Sequence, residues 1–399
     1  MYPLFNMTGR SPTEHHRAAT PLELLFDLVF VVAIARAAAE LHHGFIEHHS
    51  ISATLSFLMV FFAIWWAWMG FTWLASAFDV DDAPYRLLVL VQMFGSLIIA
   101  AGVPDAFAYD WKKMTLGYCI MRLGLIGLWL RVAYSHPKNT PTHATAMRYV
   151  VGIVICQMGW IGILFIPSTL FNTSLPVGIA LFGLMVVFEL LVPIWARKVG
   201  RTPWHAGHIA ERYSLLTLIV LGESILSVSL ALQATGSLND ISWDMMIFLI
   251  SSVITLFTMW WLYFHEPAHT LLHKSDKIAF LWGYGHYFIF AAVAAVGAAL
   301  AAHVDILTGK ASMDNLQQGL TITLPLATYL CGLWYCHERL RLQSPAEKLA
   351  YPITAGIVVL SSLLPYTLFW SMLTLVGLLV WRLKLNREKS NRLVDGQEV

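Results

Sequence analysis

Charge is what this sequence has least of. Only 12% of its 399 residues are Asp, Glu, Lys or Arg against 58% hydrophobic, whereas ordinary globular domains carry about 25% charged residues. A chain this long cannot clothe a water-facing body with so few charges, so much of its surface must meet lipid. Disorder, a secreted scaffold and a soluble enzyme are excluded. Cysteine is nearly as scarce: Cys119, Cys156, Cys331 and Cys336 all lie in apolar runs, at spacings that fit neither a metal pair nor a disulfide framework. No excess of either charge sign exists, with Lys+Arg 25 against Asp+Glu 24, which removes a nucleic-acid partner. There is no Walker A loop, dinucleotide fingerprint or nucleophile elbow, so no cofactor is expected.

Long apolar runs supply what is present. They fall near 22–41, 52–75, 85–104, 114–134, 148–166, 177–196, 208–233, 243–264, 278–302, 317–338, 349–364 and 366–384. Twelve spans of about 20 residues need roughly 240 positions, which the apolar fraction accommodates. The expected fold is all-α and polytopic, with membrane lipid as the surrounding partner. Positive charge tests the map, because Lys and Arg collect in cytoplasmic connections. With the N-terminus inside, inner connections hold nineteen of the 25 basic residues and outer ones only Lys112, Lys113 and Lys310, leaving Arg36, Arg122 and Arg212 within spans. Both termini are therefore expected in the cytoplasm.

The halves also resemble each other. "WWAWMGFTWLASAFDVDD" from Trp65 aligns with "WWLYFHEPAHTLLHKSDK" from Trp260 at an offset of 195 that also pairs Arg17 with Arg212, and "GLW" at Gly127 recurs at Gly332. An even number of spans per half makes such repeats parallel. The expected organisation is a six-span repeat over 1–200, a second over 201–385 and a basic cytoplasmic tail over 386–399.

Acids inside apolar runs are costly and mark candidate sites. Thr20-Pro21-Leu22-Glu23 reads as N-cap, N1 proline and capping-box acid, which explains Glu23 structurally. Asp27 lies one turn deeper, about 6 Å further in, where capping no longer applies. It reads as an ion- or proton-coupling group or as half of an ion pair. The seventh run opens with His208, Glu211 and Arg212 and carries Glu223 three turns beyond Arg212 on the same face, between Gly222 and Ser224. Proton or ion coupling is thus assigned to Asp27, Glu223, Glu211, Arg212 and His208, with Arg212, Arg17 and Arg122 as candidate partners for the acids. Asp27 and Glu223 are expected to face a shared polar cavity between the halves.

Four further groups have a structural reading beside a chemical one. Asp79, Asp81 and Asp82, followed by Arg86, form a cytoplasmic acidic turn that either caps a helix or gathers a cation or arginine. "HEPAH" from His265 matches the H-E-x-x-H zinc signature in letters, but Pro267 breaks the helix that must present both imidazoles, so no metal is expected there. His42, His43, His48 and His49 form an outer-loop cluster that either collects Zn²⁺ or Cu²⁺ or is simply solvated. His286, inside the ninth run, is an imidazole that a tyrosine or a backbone carbonyl would satisfy.

The residues resemble the bacterial low temperature requirement A family. The likeness is carried by "PLELLFDLVFVVAIA" from Pro21, "WWAWMGFTW" and "FDVDDAPYRLL" through Leu88, "VPDAF" at Val103 and "HIAERYSLLTLIVLGESIL" from His208, and it tracks the chain from about 15 to 380. The resemblance implies a multi-pass protein of the bacterial inner membrane, without implying a molecular activity. Where an acid is expected after Tyr263-Phe264, this chain has His265. The repeats and intramembrane acids favour a transporter or channel for a small solute or ion, with proton coupling as an option. A membrane-embedded redox or lipid-modifying enzyme and a structural or cold-sensing protein are the alternatives.

The charge asymmetry makes a direct prediction about topology. A fluorescent protein fused to the C-terminus should glow and an alkaline phosphatase fused there should be inactive. An active phosphatase would require an odd number of crossings.

Overall fold

A computed structural model describes residues 6–15, 17–166, 175–234, 242–273, 275–341 and 344–394. Lys274 and the last five residues of the tail, 395–399, lie outside them. Among the described residues the chain is helical, without strands. The long helices are α1 (Pro21–Ile46), α2 (Ser50–Phe78), α3 (Ala83–Phe107), α4 (Lys112–Tyr134), α5 (Pro141–Ile163), α6 (Leu175–Ala196), α7 (Ala206–Ala234), α8 (Trp243–Phe264), α9 (Asp276–Leu307), α10 (Asn315–Leu333), α11 (Pro345–Leu360) and α12 (Thr367–Val394). One extra helical turn, His269–Leu272, follows α8, and α10 runs directly into a π-helical turn, Trp334–Glu338. Nine of the described helices are long and apolar enough to cross a membrane. The other three are α1 and α7, which bear the buried charges of the site below, and α11, which has sixteen residues.

Contacts divide the chain into two compact units. One comprises Met1–Glu40 and Leu55–Leu216, the other Leu41–Thr54 and Thr217–Val399. The divisions fall inside α1, α2 and α7.

In the first unit, α3 through α6 pack as sequential neighbours. Helix α3 shows why: Leu87, Leu90, Phe94 and Leu97 lie on its exposed face while Gln92, Ser96 and Gly95 are buried. This is the reverse of a soluble amphipathic helix, and it suits a helix whose outer surface meets lipid. Small residues then set the approach of α3 to α4. A Cβ on Gly95 would stand 2.6 Å from the Gly117 carbonyl oxygen, and one on Gly117 would stand 2.6 Å from the Gly95 carbonyl oxygen, so the two backbones are in direct contact. Asp82 starts α3 as its N-cap, accepting the Tyr85 N–H at 2.9 Å.

In the second unit α9 is the buried element. Its run from Phe290 to Leu300 is interior throughout and rich in Ala, which lets neighbours pack against a thin rod. Gly297 receives Ser224 of α7, whose hydroxyl donates to the Val293 carbonyl at 3.1 Å. Gly222 and Ser224 are therefore small for different reasons: a Cβ at Gly222 would meet nothing within 4 Å, whereas Ser224 makes the helix contact.

The glycine contact predicts a stability result. Gly117→Ala should lower the thermal stability of the detergent-solubilised protein by about 1–3 kcal/mol through overpacking. Gly183→Ala, where a Cβ meets nothing within 4 Å, should leave it unchanged or raise it slightly.

Candidate functional site

A ladder of charge runs inward from the start of α1 and of α7. Thr20 and Glu23 form the expected capping box: the Glu23 N–H donates to Thr20 Oγ1 at 3.3 Å and the Thr20 N–H to Glu23 Oε2 at 2.8 Å. At the head of α7 the side chain of His205 plays the equivalent part, its Nδ1 accepting the His208 N–H at 3.1 Å. Its Nε2 then donates to the Glu14 carbonyl at 2.9 Å. Glu211, the next polar group on α7, accepts the Ala19 N–H at 3.2 Å and so ties the entry of α1 to α7.

One turn beyond His208 lies Arg212, fully buried. Its Nη2 and Nε donate to the two oxygens of Asp27 at 2.5 and 3.2 Å, a bidentate geometry that only a guanidinium supplies. Its Nη1 stands 2.9 Å from Glu23 Oε1, and His208 Nε2 stands 3.1 Å from that same oxygen. Trp68 of α2 completes the shell by donating its indole N–H to Asp27 Oδ1 at 2.7 Å. Three of the five residues assigned to coupling, Asp27, Arg212 and His208, therefore meet in one cluster, and Glu211 sits at its margin. Glu223 belongs to the second unit. Of the three arginines considered for the acids, Arg212 holds Asp27. Arg17 instead donates to the Ala75 and Ser76 carbonyls at the end of α2, and Arg122 pairs with Glu189 at 3.0 Å.

The acidic turn is paired off residue by residue. Asp82 binds Arg131 at 2.6 Å, Asp81 binds Arg86 at 2.8 Å and Asp79 lies 3.7 Å from Arg10. Asp81 has a positive φ of 46°, which aspartate tolerates in tight turns. The turn thus distributes its acids among Arg10, Arg86 and Arg131 instead of directing them at one point. Burial, reinforced by the neighbouring Glu23 carboxylate, pushes Asp79 up to about 6 against the opposing pull of Arg17 and Arg10.

Several functional contacts escaped the sequence reading. Glu189 stands alone in the apolar run of α6, yet it accepts from Trp66 at 2.8 Å, Trp160 at 3.1 Å and Arg122 at 3.0 Å. The signal available was an acid alone in its apolar run and Arg122, one of three arginines within spans. In the second unit, Arg382 is fully buried. It reaches Glu338 at 2.7 Å and Glu266 at 3.2 Å, while Arg341 reaches Glu266 at 2.7 Å. Glu266 thus supplies the acid that His265 lacks, and His265 itself meets Asn386 at 2.7 Å. "HEPAH" is broken as expected, since α8 ends at Phe264 and His269 opens a separate turn. Of the four histidines expected in a loop, His42 and His43 instead belong to the end of α1, where His42 meets Asp305 at 2.8 Å. The described residues contain no group of three or more His, Cys, Asp or Glu arranged to hold a metal.

The family model for the bacterial low temperature requirement A protein matches residues 18–382, almost the full chain. The chain belongs to this family. The low temperature requirement A match takes in every residue of the Glu23, Asp27, His208 and Arg212 cluster. An uncharacterized protein of Rhizobium meliloti (strain 1021) is 27% identical over 288 residues, which span 69% of this chain and 66% of that protein. With its apolar helices and this family membership, the chain is a multi-pass membrane protein.

Asp79 gives a pH prediction with a definite sign. A carboxyl whose native value lies above its unfolded value stabilises the native state at low pH and loses that contribution as pH rises through about 6. Between pH 7 and pH 5 the native protein should therefore gain on the order of 1 kcal/mol relative to Asp79→Asn. Parallel stability curves for the two proteins would rule the buried acid out.

Proposed function

We propose that this protein is a proton-coupled transporter or channel for a small solute or ion, crossing the bacterial inner membrane twelve times with both termini in the cytoplasm. The reading rests on one observation: a single buried guanidinium, that of Arg212, serves two carboxylates, Glu23 and Asp27. Isolated ions are costly to bury, so a cluster with one more acid than base favours taking up a further positive charge. His208 is placed to carry it. Its Nε2 faces Glu23 and so holds a proton, while its Nδ1 is buried without a hydrogen-bond partner. A proton arriving at Nδ1 makes the imidazole cationic and balances the cluster; its departure restores the excess negative charge.

In this reading the proton reaches that nitrogen from the helix entries. Arg10, Glu14 and Asp79 lie toward the chain's N-terminal segment, and His205 links the Glu14 carbonyl to the His208 N–H. Under the proposed orientation this end of the cluster faces the cytoplasm. Glu223, an acid well inside α7, is the second coupling group. The lack of a global charge excess suits a cation or a neutral solute, and the family's name links the activity to growth in the cold.

The experiment is flux in proteoliposomes, scored with a panel of alkali cations, ammonium and small organic solutes at several pH values. His208→Gln and Glu223→Gln keep the shape of the side chain while removing the titration. Each should insert and fold normally, yet lose the pH dependence of flux and fail to restore cold growth. Retention of both properties by His208→Gln would remove the imidazole from the coupling step.

A further inference from the structure

Helix α10 does not end as an α-helix. Its last turn, Trp334–Glu338, is π-helical, and Cys336, His337 and Glu338 are all buried in it. A π turn carries one extra residue, rotates the side chains that follow and occurs mostly where a particular side chain must be aimed. Here the turn carries His337, whose Nε2 is buried without a hydrogen-bond partner. Buried imidazole nitrogens are normally satisfied.

Around His337, beside the Trp282 ring at 6.0 Å, stand two side chains that carry ligating atoms. His286 of α9 lies with its ring centre 5.5 Å away and Tyr263 of α8 with its ring 5.2 Å away. The Tyr263 and His286 rings are 5.8 Å apart, closing the triangle. His286 Nδ1 stands 2.7 Å from the Trp282 carbonyl, and a carbonyl can only accept, so Nδ1 carries the hydrogen and Nε2 the lone pair. That lone pair faces the Tyr263 hydroxyl at 3.0 Å. An imidazole anchored through one nitrogen to a backbone carbonyl, with the other left basic, is the orientation that metal-binding histidines adopt.

The ring spacing fits a coordination sphere. Two imidazoles sharing a metal at about 2.0–2.1 Å hold their ring centres roughly 5–6 Å apart, and two adjacent ligand atoms at a right angle lie roughly 3 Å apart. The neighbouring charges are otherwise occupied: Glu338 turns to Arg382 and Arg341 to Glu266. We propose that Tyr263, His286 and His337 form a mononuclear site for a borderline divalent transition metal, copper or zinc. Two imidazoles and a phenolate suit these ions, with copper the tighter by the usual affinity order. On binding, Tyr263 releases its hydroxyl proton to solvent and its Oη bonds to the metal, while His286 and His337 each donate an Nε2 lone pair. No electron is transferred in this step. The site is independent of whether the protein transports anything.

The test uses the full-length protein in detergent, stripped with a chelator and titrated separately with Zn²⁺ and Cu²⁺, with retained metal counted by elemental analysis. One equivalent should be retained, and His337→Gln and His286→Gln should each weaken it at least tenfold. Bound Cu²⁺ should show a visible phenolate-to-copper band that Tyr263→Phe abolishes. The wild-type band alone decides the matter if a variant fails to fold. No retained metal would overturn the proposal. So would an equivalent that survives His337→Gln and disappears when His42, His43, His48 and His49, or His265 and His269, are replaced.

Discussion

The first unit depends on one guanidinium. Arg212 keeps its charge, and Glu23 and Asp27 are buried against it. Breaking such a group by removing one partner leaves a buried charge uncompensated, typically at about 3–5 kcal/mol. The ends of α1 and α7 are therefore fixed to each other before any apolar packing is considered. The capping box at Thr20 and the His205 cap at α7 set each helix's entry, and Trp68 brings α2 to the same point.

The same solution recurs in the second unit with different residues. Arg382 from α12 stands between Glu338 of the π turn and Glu266 just beyond α8. Both units thus bury one arginine against two carboxylates at helix ends. On the surface of soluble proteins, exposed ion pairs contribute little to stability. Inside a membrane protein, where apolar residues face outward as well as inward, they distinguish one helix arrangement from another, because a lipid-facing position offers no partner.

How much of this was legible in the sequence follows from how local each feature is. The capping box needs four consecutive residues and could be read directly. The need of Asp27 for a cationic partner could be read from its depth, and Arg212 was among three arginines available. Choosing between them was not possible, because Arg17, Arg122 and Arg212 differ only in which helices pack together. The Trp68 contact is hidden for the same reason: it lies 41 residues away, in a run with several tryptophans. The partners of Arg382 are hidden in the same way, because its neighbours in sequence lead into the basic end of the chain, while its neighbours in space are acids. The apolar helices themselves were the most legible, since composition alone demands them.

The backbone contact at Gly95 and Gly117 has a mechanical meaning. Where two helices touch through side chains, they can slide, because rotamers adjust. Where they touch through carbonyl and Cα atoms, nothing between them can yield, so α3 and α4 behave as one stiff plate. Any working motion of this half of the molecule must then bend at the plate's borders, and the tight turn at Asp81 is one such border.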